Sequence, residues 1–193
     1  MNFKTVLENA KTATLIGSRE PPERIASIAI KIGRALSDRG IFAYSGGAPG
    51  MDSHFMFDYS PERRRIILPE NGFNGLRSNG KDIIDYNEYD THKAADEARK
   101  VAGHFDNQSE WTQRRYARNS MQVLTENLDK PTDFVLFWAV EKDFCVKGGT
   151  AIATRLARLY KVPTFNLWNQ SVLDEVCDTL GINTKPPTLD FLW

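Results

Sequence analysis

The sequence predicts an α/β domain with a mainly parallel sheet of about five strands and helices on both faces, a Rossmann-like three-layer α/β/α architecture. Three observations carry that reading. Short β-prone runs alternate with amphipathic helical stretches along the chain, the rhythm of a parallel sheet joined by right-handed crossovers. Glycine-containing turns follow three of the strands. The most apolar run, Asp133-Phe134-Val135-Leu136-Phe137-Trp138-Ala139-Val140, lacks alternation, as a central strand covered on both faces should.

Thr12-Ala13-Thr14-Leu15-Ile16 reads as the first strand, stopped at Gly17-Ser18-Arg19. Pro21-Pro22 suit a first helical turn, where their missing N–H groups would be unpaired anyway, and Ile25, Ile28, Ala29, Ile32 and Leu36 then mark one helix face. Gly40 ends that helix, and Ile41-Phe42-Ala43-Tyr44 is the second strand. Ser45-Gly46-Gly47-Ala48-Pro49-Gly50 forms a glycine-rich turn, a short helix starts near Met51, and Arg65-Ile66-Ile67-Leu68-Pro69 supplies the third strand.

Residues 70–107 read as a loop-rich insertion close to the functional site, since long connections of this kind are usually functional or mobile. Within it, Thr91 caps an Ala-rich helix reaching to about Ala102. Ser109 caps a further helix carrying Trp111, Tyr116, Met121 and Leu124. After the fourth strand, Lys147-Gly148-Gly149-Thr150 leads into a helix with Ile152, Leu156, Ala157 and Tyr160 on one face. Thr164-Phe165-Asn166-Leu167 is the fifth strand, a last helix runs from about Val172 to Leu180 after Ser171, and the tail holds Pro186-Pro187. No repeat, low-complexity tract or linker divides the 193 residues, so a single domain over 1–193 is expected.

Composition narrows the function classes. Lys plus Arg and Asp plus Glu each total 25, so there is no global pull toward DNA or an anionic membrane, and nucleic-acid contact must use a local patch. Cys145 and Cys177 sit in no CxxC or Cys/His cluster, which argues against a disulfide scaffold and a metal site and fits a reducing compartment. The N-terminal residues hold no long apolar run, and nothing in the chain approaches the roughly 20 apolar residues of a membrane helix, so the expected location is cytoplasmic, with no membrane partner.

All three glycine turns should open at the carboxyl edge of the sheet, where ligands bind at the topological switch point. Glycine admits close approach to an anion, and helix N-termini present free N–H groups and a partial positive charge, so phosphate is the natural guest. The predicted phosphate-binding set is Gly17, Ser18, Arg19, Ser45, Gly46, Gly47, Gly50, Gly148, Gly149 and Thr150, with Arg118 and Asn119 closing the site. Neither GxxxxGK[ST] nor GxGxxG occurs, so neither an ordinary nucleoside triphosphatase nor a dehydrogenase is read, and no cofactor or metal is expected.

Ile16-Gly17-Ser18-Arg19, Tyr44-Ser45-Gly46-Gly47-Ala48-Pro49-Gly50-Met51-Asp52-Ser53-His54, Arg118-Asn119 and Gly148-Gly149-Thr150-Ala151-Ile152-Ala153-Thr154 together resemble the Rossmann-like core of the DNA-processing protein A family, DprA/Smf, over about residues 12–168. The wider SLOG group also holds the Lonely Guy phosphoribohydrolases, YpsA-like proteins and sensors of nucleotide-derived signals. The resemblance implies a nucleotide or nucleotide-derived small ligand, or alternatively single-stranded DNA held by Arg19, Arg114, Arg115 and Arg118. It also implies self-association, with a homodimer the expected form. A third reading is an N-glycosidase like the Lonely Guy enzymes, whose P-G-G-x-G-T-x-x-E is replaced here by Val146-Lys147-Gly148-Gly149-Thr150-Ala151-Ile152-Ala153. If the protein is an enzyme, Asp52 or Glu141 is the catalytic carboxylate, because an oxocarbenium-like transition state needs one nearby.

Plainer readings stand beside these. Arg19 also serves as a loop cap, Asp52 as a complement to a helix dipole, and Arg114, Arg115 and Arg118 as a solvated helix face. Arg63-Arg64-Arg65 fits either polyanion steering or a soluble strand edge. Tyr59, Tyr86 and Trp111 fit either base stacking or the core, and His54 either a ligand contact or a surface position.

Overall fold

In the computed structural model, residues 2–142, 145–146 and 148–184 are described. Asp143, Lys147 and the Pro186-Pro187 tail lie outside the described residues. The chain opens with α1 (Phe3–Asn9), β1 (Thr12–Gly17), α2 (Glu23–Asp38), β2 (Phe42–Ser45), α3 (Met51–Met56) and β3 (Arg64–Leu68). It continues through β4 (Ile83–Asp85), α4 (Thr91–Arg99), α5 (Glu110–Leu124), β5 (Phe134–Trp138) and a two-residue hairpin, β6 (Glu141–Lys142) and β7 (Cys145–Val146). It ends with α6 (Gly149–Leu159), β8 (Thr164–Asn166) and α7 (Gln170–Leu180).

The main sheet has six strands in the order β4-β3-β2-β1-β5-β8, every neighbouring pair parallel. From β1 the chain steps outward through β2, β3 and β4, then returns to the other side of β1 with β5 and β8. The switch point therefore lies between β1 and β5, where Gly17 stands opposite Trp138. The expected three layers are present: α1, α2, α3 and α7 pack on one face and α4, α5 and α6 on the other. The predicted apolar face of α2 is buried at Ile25, Ile28, Ala29, Ile32 and Leu36. No helix of the described residues is long and apolar enough to cross a membrane.

Four differences from the sequence reading have physical reasons. The sheet gains a sixth strand, β4, inside the supposed insertion. Three residues are too few to show a period, and β4 is held by tertiary bonds: Arg64 pairs with Asp82 at 2.8 Å and Ile66 N donates to Asp82 O at 2.7 Å. The Ala-rich helix α4 is capped by Asp90, whose Oδ1 accepts from Lys93 N at 2.9 Å, and it stops at Arg99. Ser109 does cap α5, accepting from Thr112 N at 3.3 Å, whereas α7 is capped by Asn169 rather than starting after Ser171.

The fourth difference is α1, which the sequence reading leaves unassigned. Asn2 Oδ1 accepts from Thr5 N at 2.9 Å, and the fully buried Phe3 ring meets Phe134 and Phe165 edge-on at 5.5 and 5.2 Å. Its N-cap and its apolar residues Phe3, Val6 and Leu7 at helical spacing are readable signals in a stretch of only seven residues.

Candidate functional site: a basic crevice at the switch point

The two N-terminal glycine turns are laced to each other. Asp52, in the first turn of α3 and 4% exposed, accepts from Gly17 N through Oδ1 and from Gly46 N through Oδ2, each at 3.1 Å. Ser18 N donates to Trp138 O at 2.8 Å, Met51 N donates to Ser18 O at 3.0 Å, and Ser45 Oγ donates to Leu15 O at 2.7 Å. A Cβ at Gly17 would strike Trp138 O and Met51, and one at Gly46 would strike the Arg118 guanidinium. Gly50, at φ +85°, has no room for a Cβ against Arg19 O and Ser18 O. Ser45, Gly46, Gly47 and Gly50 thus serve close approach of the chain to itself, and none of them lines the crevice that opens above.

That crevice, about 280 Å³, lies between the β1 turn and the start of α6. Gly17, Ser18 and Arg19 form one wall with Ala48, Gly148, Gly149 and Thr150 form another, and the buried half of α5 supplies Arg115, Arg118, Asn119 and Gln122. Asn119 Nδ2 donates to Gly149 O at 3.0 Å, fixing the start of α6 against α5. Gln122, in the amide orientation its neighbours require, accepts from Gly46 N at 2.7 Å and from Arg118 Nη1, and donates to Asn119 Oδ1 at 3.1 Å. Gln122 has a readable signal: it stands four residues after Arg118, hence on the same helix face.

The electrostatics favour an anion. Arg19, Arg115 and Arg118 line the crevice against one carboxylate, Asp52, a local excess of two positive charges. The side chains of Arg19 and Arg115 make no hydrogen bond or ion pair among the described residues. Burial, and then the charge of Arg19, lowers the pKa of Arg115. Arg118 is 4% exposed, and burial pushes it down to about 10, still charged at neutral pH, with Asp52 opposing that shift. Its Nε has no acceptor among the described residues. A buried donor left unmatched costs about 1–3 kcal/mol, more when charged, so holding Arg118 in this position is costly to the fold. Burial raises the carboxyl pKa of Asp52, opposed by Arg118 and by the backbone donors of Gly17, Ala48 and Gly46.

The other singled-out residues lie elsewhere. Arg114 pairs with Glu70 at 3.2 Å and Glu110 at 3.0 Å and faces a second concavity beside α4, so it does not share the face of Arg115 and Arg118. Arg63 donates to Ser37 O at 2.6 Å, Arg64 pairs with Asp82, and Arg65 pairs with Glu126 at 3.2 Å; all three are engaged within the protein. Tyr59 and Tyr86 are buried, with hydroxyls donating to Ile41 O and Thr91 O, while Trp111 is partly exposed beside Phe73. His54 and Glu141 do not line the crevice, and Glu141 Oε2 accepts from Asn166 Nδ2 at 3.1 Å. Among the described residues Asp52 is the one carboxylate in the lining, and both its oxygens accept from backbone N–H groups. Among the described residues no cluster of His, Cys, Asp or Glu is placed to hold a metal.

Fold and crevice together define a class: an open parallel α/β domain with a basic crevice at its switch point. No family model matches the chain, and no curated protein matches it. Among solved structures, it is similar to DNA processing protein A from Helicobacter pylori, described for its single-stranded DNA binding mode, with a TM-score of 0.57. The likeness covers 93% of this chain and 85% of that one at 16% identity, and it shows a DprA-like fold.

Proposed function

We propose that this protein binds single-stranded DNA, seating a backbone phosphate in the crevice between Arg19, Arg115 and the first turn of α6. The observation that carries this reading is the unpaired charge: among the described residues the Arg19 and Arg115 guanidiniums have no partner, and the charged Arg118 lines the same crevice. Gly149 and Thr150 begin an 11-residue helix, whose free N–H groups and dipole add to the attraction for phosphate. The DprA-like fold and the reported strand binding of its Helicobacter neighbour support the same partner.

The test is fluorescence anisotropy with a labelled oligo-dT across a salt series. If the seated phosphate and one or two neighbours along the strand are neutralised by the three arginines, the log–log salt slope is about −1.4 to −2.1, from roughly −0.7 per phosphate on single strands. Binding that ignores salt, or no binding at low salt, overturns the proposal.

A second reading, a small nucleotide as the ligand, is favoured by the crevice volume of about 280 Å³ and by its closure on two walls. A thermal-shift series with mononucleotides separates the two. A ligand at 100 times its Kd adds about 2.7 kcal/mol of stability. Stabilisation by a mononucleotide equal to that by the oligonucleotide favours the small-ligand reading.

A further inference from the structure

Large apolar side chains exposed among the described residues include Phe57, Val140, Leu159 and Trp168, and their places in the fold separate them. Phe57 and Leu159 stand at helix C-terminal ends, which in a parallel α/β domain lie at the amino edge of the sheet. Val140 and Trp168 follow the ends of β5 and β8 and so stand at the carboxyl edge, the edge of the crevice. Tryptophan is highly buried on average, yet Trp168 is 48% exposed.

Trp168 is also held. Its backbone N–H donates to Asn166 Oδ1 at 3.1 Å, and its ring meets the buried Trp138 ring at 5.7 Å and 70°, an edge contact that leaves a broad aromatic surface open. Asn166 Oδ1 also accepts from Ala139 N, and Asn166 Nδ2 donates to Ala139 O and Glu141 Oε2, so the ends of β5 and β8 form one fixed corner. Trp138 is the register partner of Gly17 and accepts from Ser18 N, which connects this corner to the crevice wall. From β1 past β5 to β8 is two strand spacings, about 10 Å.

We infer that Trp168 is a stacking platform for a nucleobase of the strand whose phosphate sits in the crevice. The inference rests on the strand-binding reading above and adds the group that takes the uncharged part of the ligand. Glu141, held at the same corner by Asn166, disfavours a phosphate there, whereas the open indole accepts any base through its π face. An offset of about 10 Å lies within the footprint of even the shortest single-strand sites, about four nucleotides.

The experiment compares the full chain with Trp168→Ala and Trp168→Phe, using oligo-dT and an abasic strand of the same length as probes. Trp168→Ala is expected to weaken oligo-dT binding about 30-fold, the middle of the range for loss of one stacked base, and to leave abasic-strand binding unchanged. Trp168→Phe is expected to hold binding of oligo-dT within about 3-fold, because phenylalanine keeps a π face. Equal loss on both probes, no loss on oligo-dT, or conversion of a dimer to a monomer by Trp168→Ala in sedimentation overturns the platform. If the parent protein binds oligo-dT and the variant matches it, only this inference fails; if neither probe binds the parent, the strand-binding proposal fails with it.

Discussion

The glycine turn after β2 and the one that opens α6 read alike in sequence and are built for opposite ends. In the first, Gly46 lies against the Arg118 guanidinium, Gly47 against Ile66, Leu68 and Leu76, and Gly50 against the backbone of Ser18 and Arg19. In the second, Gly148 has nothing within 4 Å of where a Cβ would stand, and Gly149 has only Asn119 Nδ2 at 3.2 Å. One turn is a joint that the protein closes on itself; the other is a wall that faces the open crevice. A glycine between a strand and a helix therefore identifies a tight place, and only the neighbours say whether the chain or a guest fills it.

The sharpest way to break this contrast is at Asp52, which holds the joint. Asp52→Asn leaves Arg118 buried without its counter-charge and replaces one acceptor with a donor. The expected cost is about 3–5 kcal/mol, read in a urea titration. Gly50→Ala should come next, at about 3 kcal/mol from backbone collision at positive φ, lowering Tm by about 6–12 °C in a domain of this size. A loss below about 1 kcal/mol at both positions would remove the distinction between joint and wall.

The wall should respond in binding instead. Arg19→Ala with Arg115→Ala removes two unpaired cations, so stability should change by less than about 1 kcal/mol. The salt slope for oligo-dT should become shallower by about 1.4, two contacts at roughly 0.7 each. The smallest stability effect is expected at Gly149→Ala. Alanine gains a few tenths of a kcal/mol of helix propensity at this first helical position, and the Asn119 Nδ2 that would stand 3.2 Å from its Cβ offsets that gain, so Tm should change by no more than a few degrees while anion affinity falls. Thermal melts and anisotropy on the same sample check both halves.

The sequence carried the architecture further than the site. The unalternating run at β5, the helix face of α2 and the glycine turns marked the switch point, because long apolar elements hold their period whatever their neighbours do. β4 escaped notice because tertiary bonds rather than periodicity hold its three residues, whereas α1 carried a cap and a helical spacing that its seven residues made easy to pass over. In the crevice, Arg118 and Asn119 stood out through a resemblance. That Arg114 turns toward Glu70 while Arg115 faces Arg19 depends on which side of α5 meets the sheet, and this is settled only by packing. In the Arg63-Arg64-Arg65 run, Arg64 and Arg65 are paired with Asp82 and Glu126, and Arg63 donates to a carbonyl of α2. These partners lie 18 to 61 residues away for Arg64 and Arg65, beyond any local pattern.

The place of β1 in the middle of the sheet has a consequence for how the protein is made. Of its two neighbours, β2 leaves the ribosome soon after it, but β5 follows only some 120 residues later. At a synthesis rate of about 5–20 residues per second, the β1 edge waits roughly 6 to 24 s for its cover. During that time Thr12–Gly17 is a bare, apolar edge strand of the kind that invites pairing with another chain. Yield from rapid overexpression should therefore depend on temperature and chaperone supply more than the finished protein's stability would suggest.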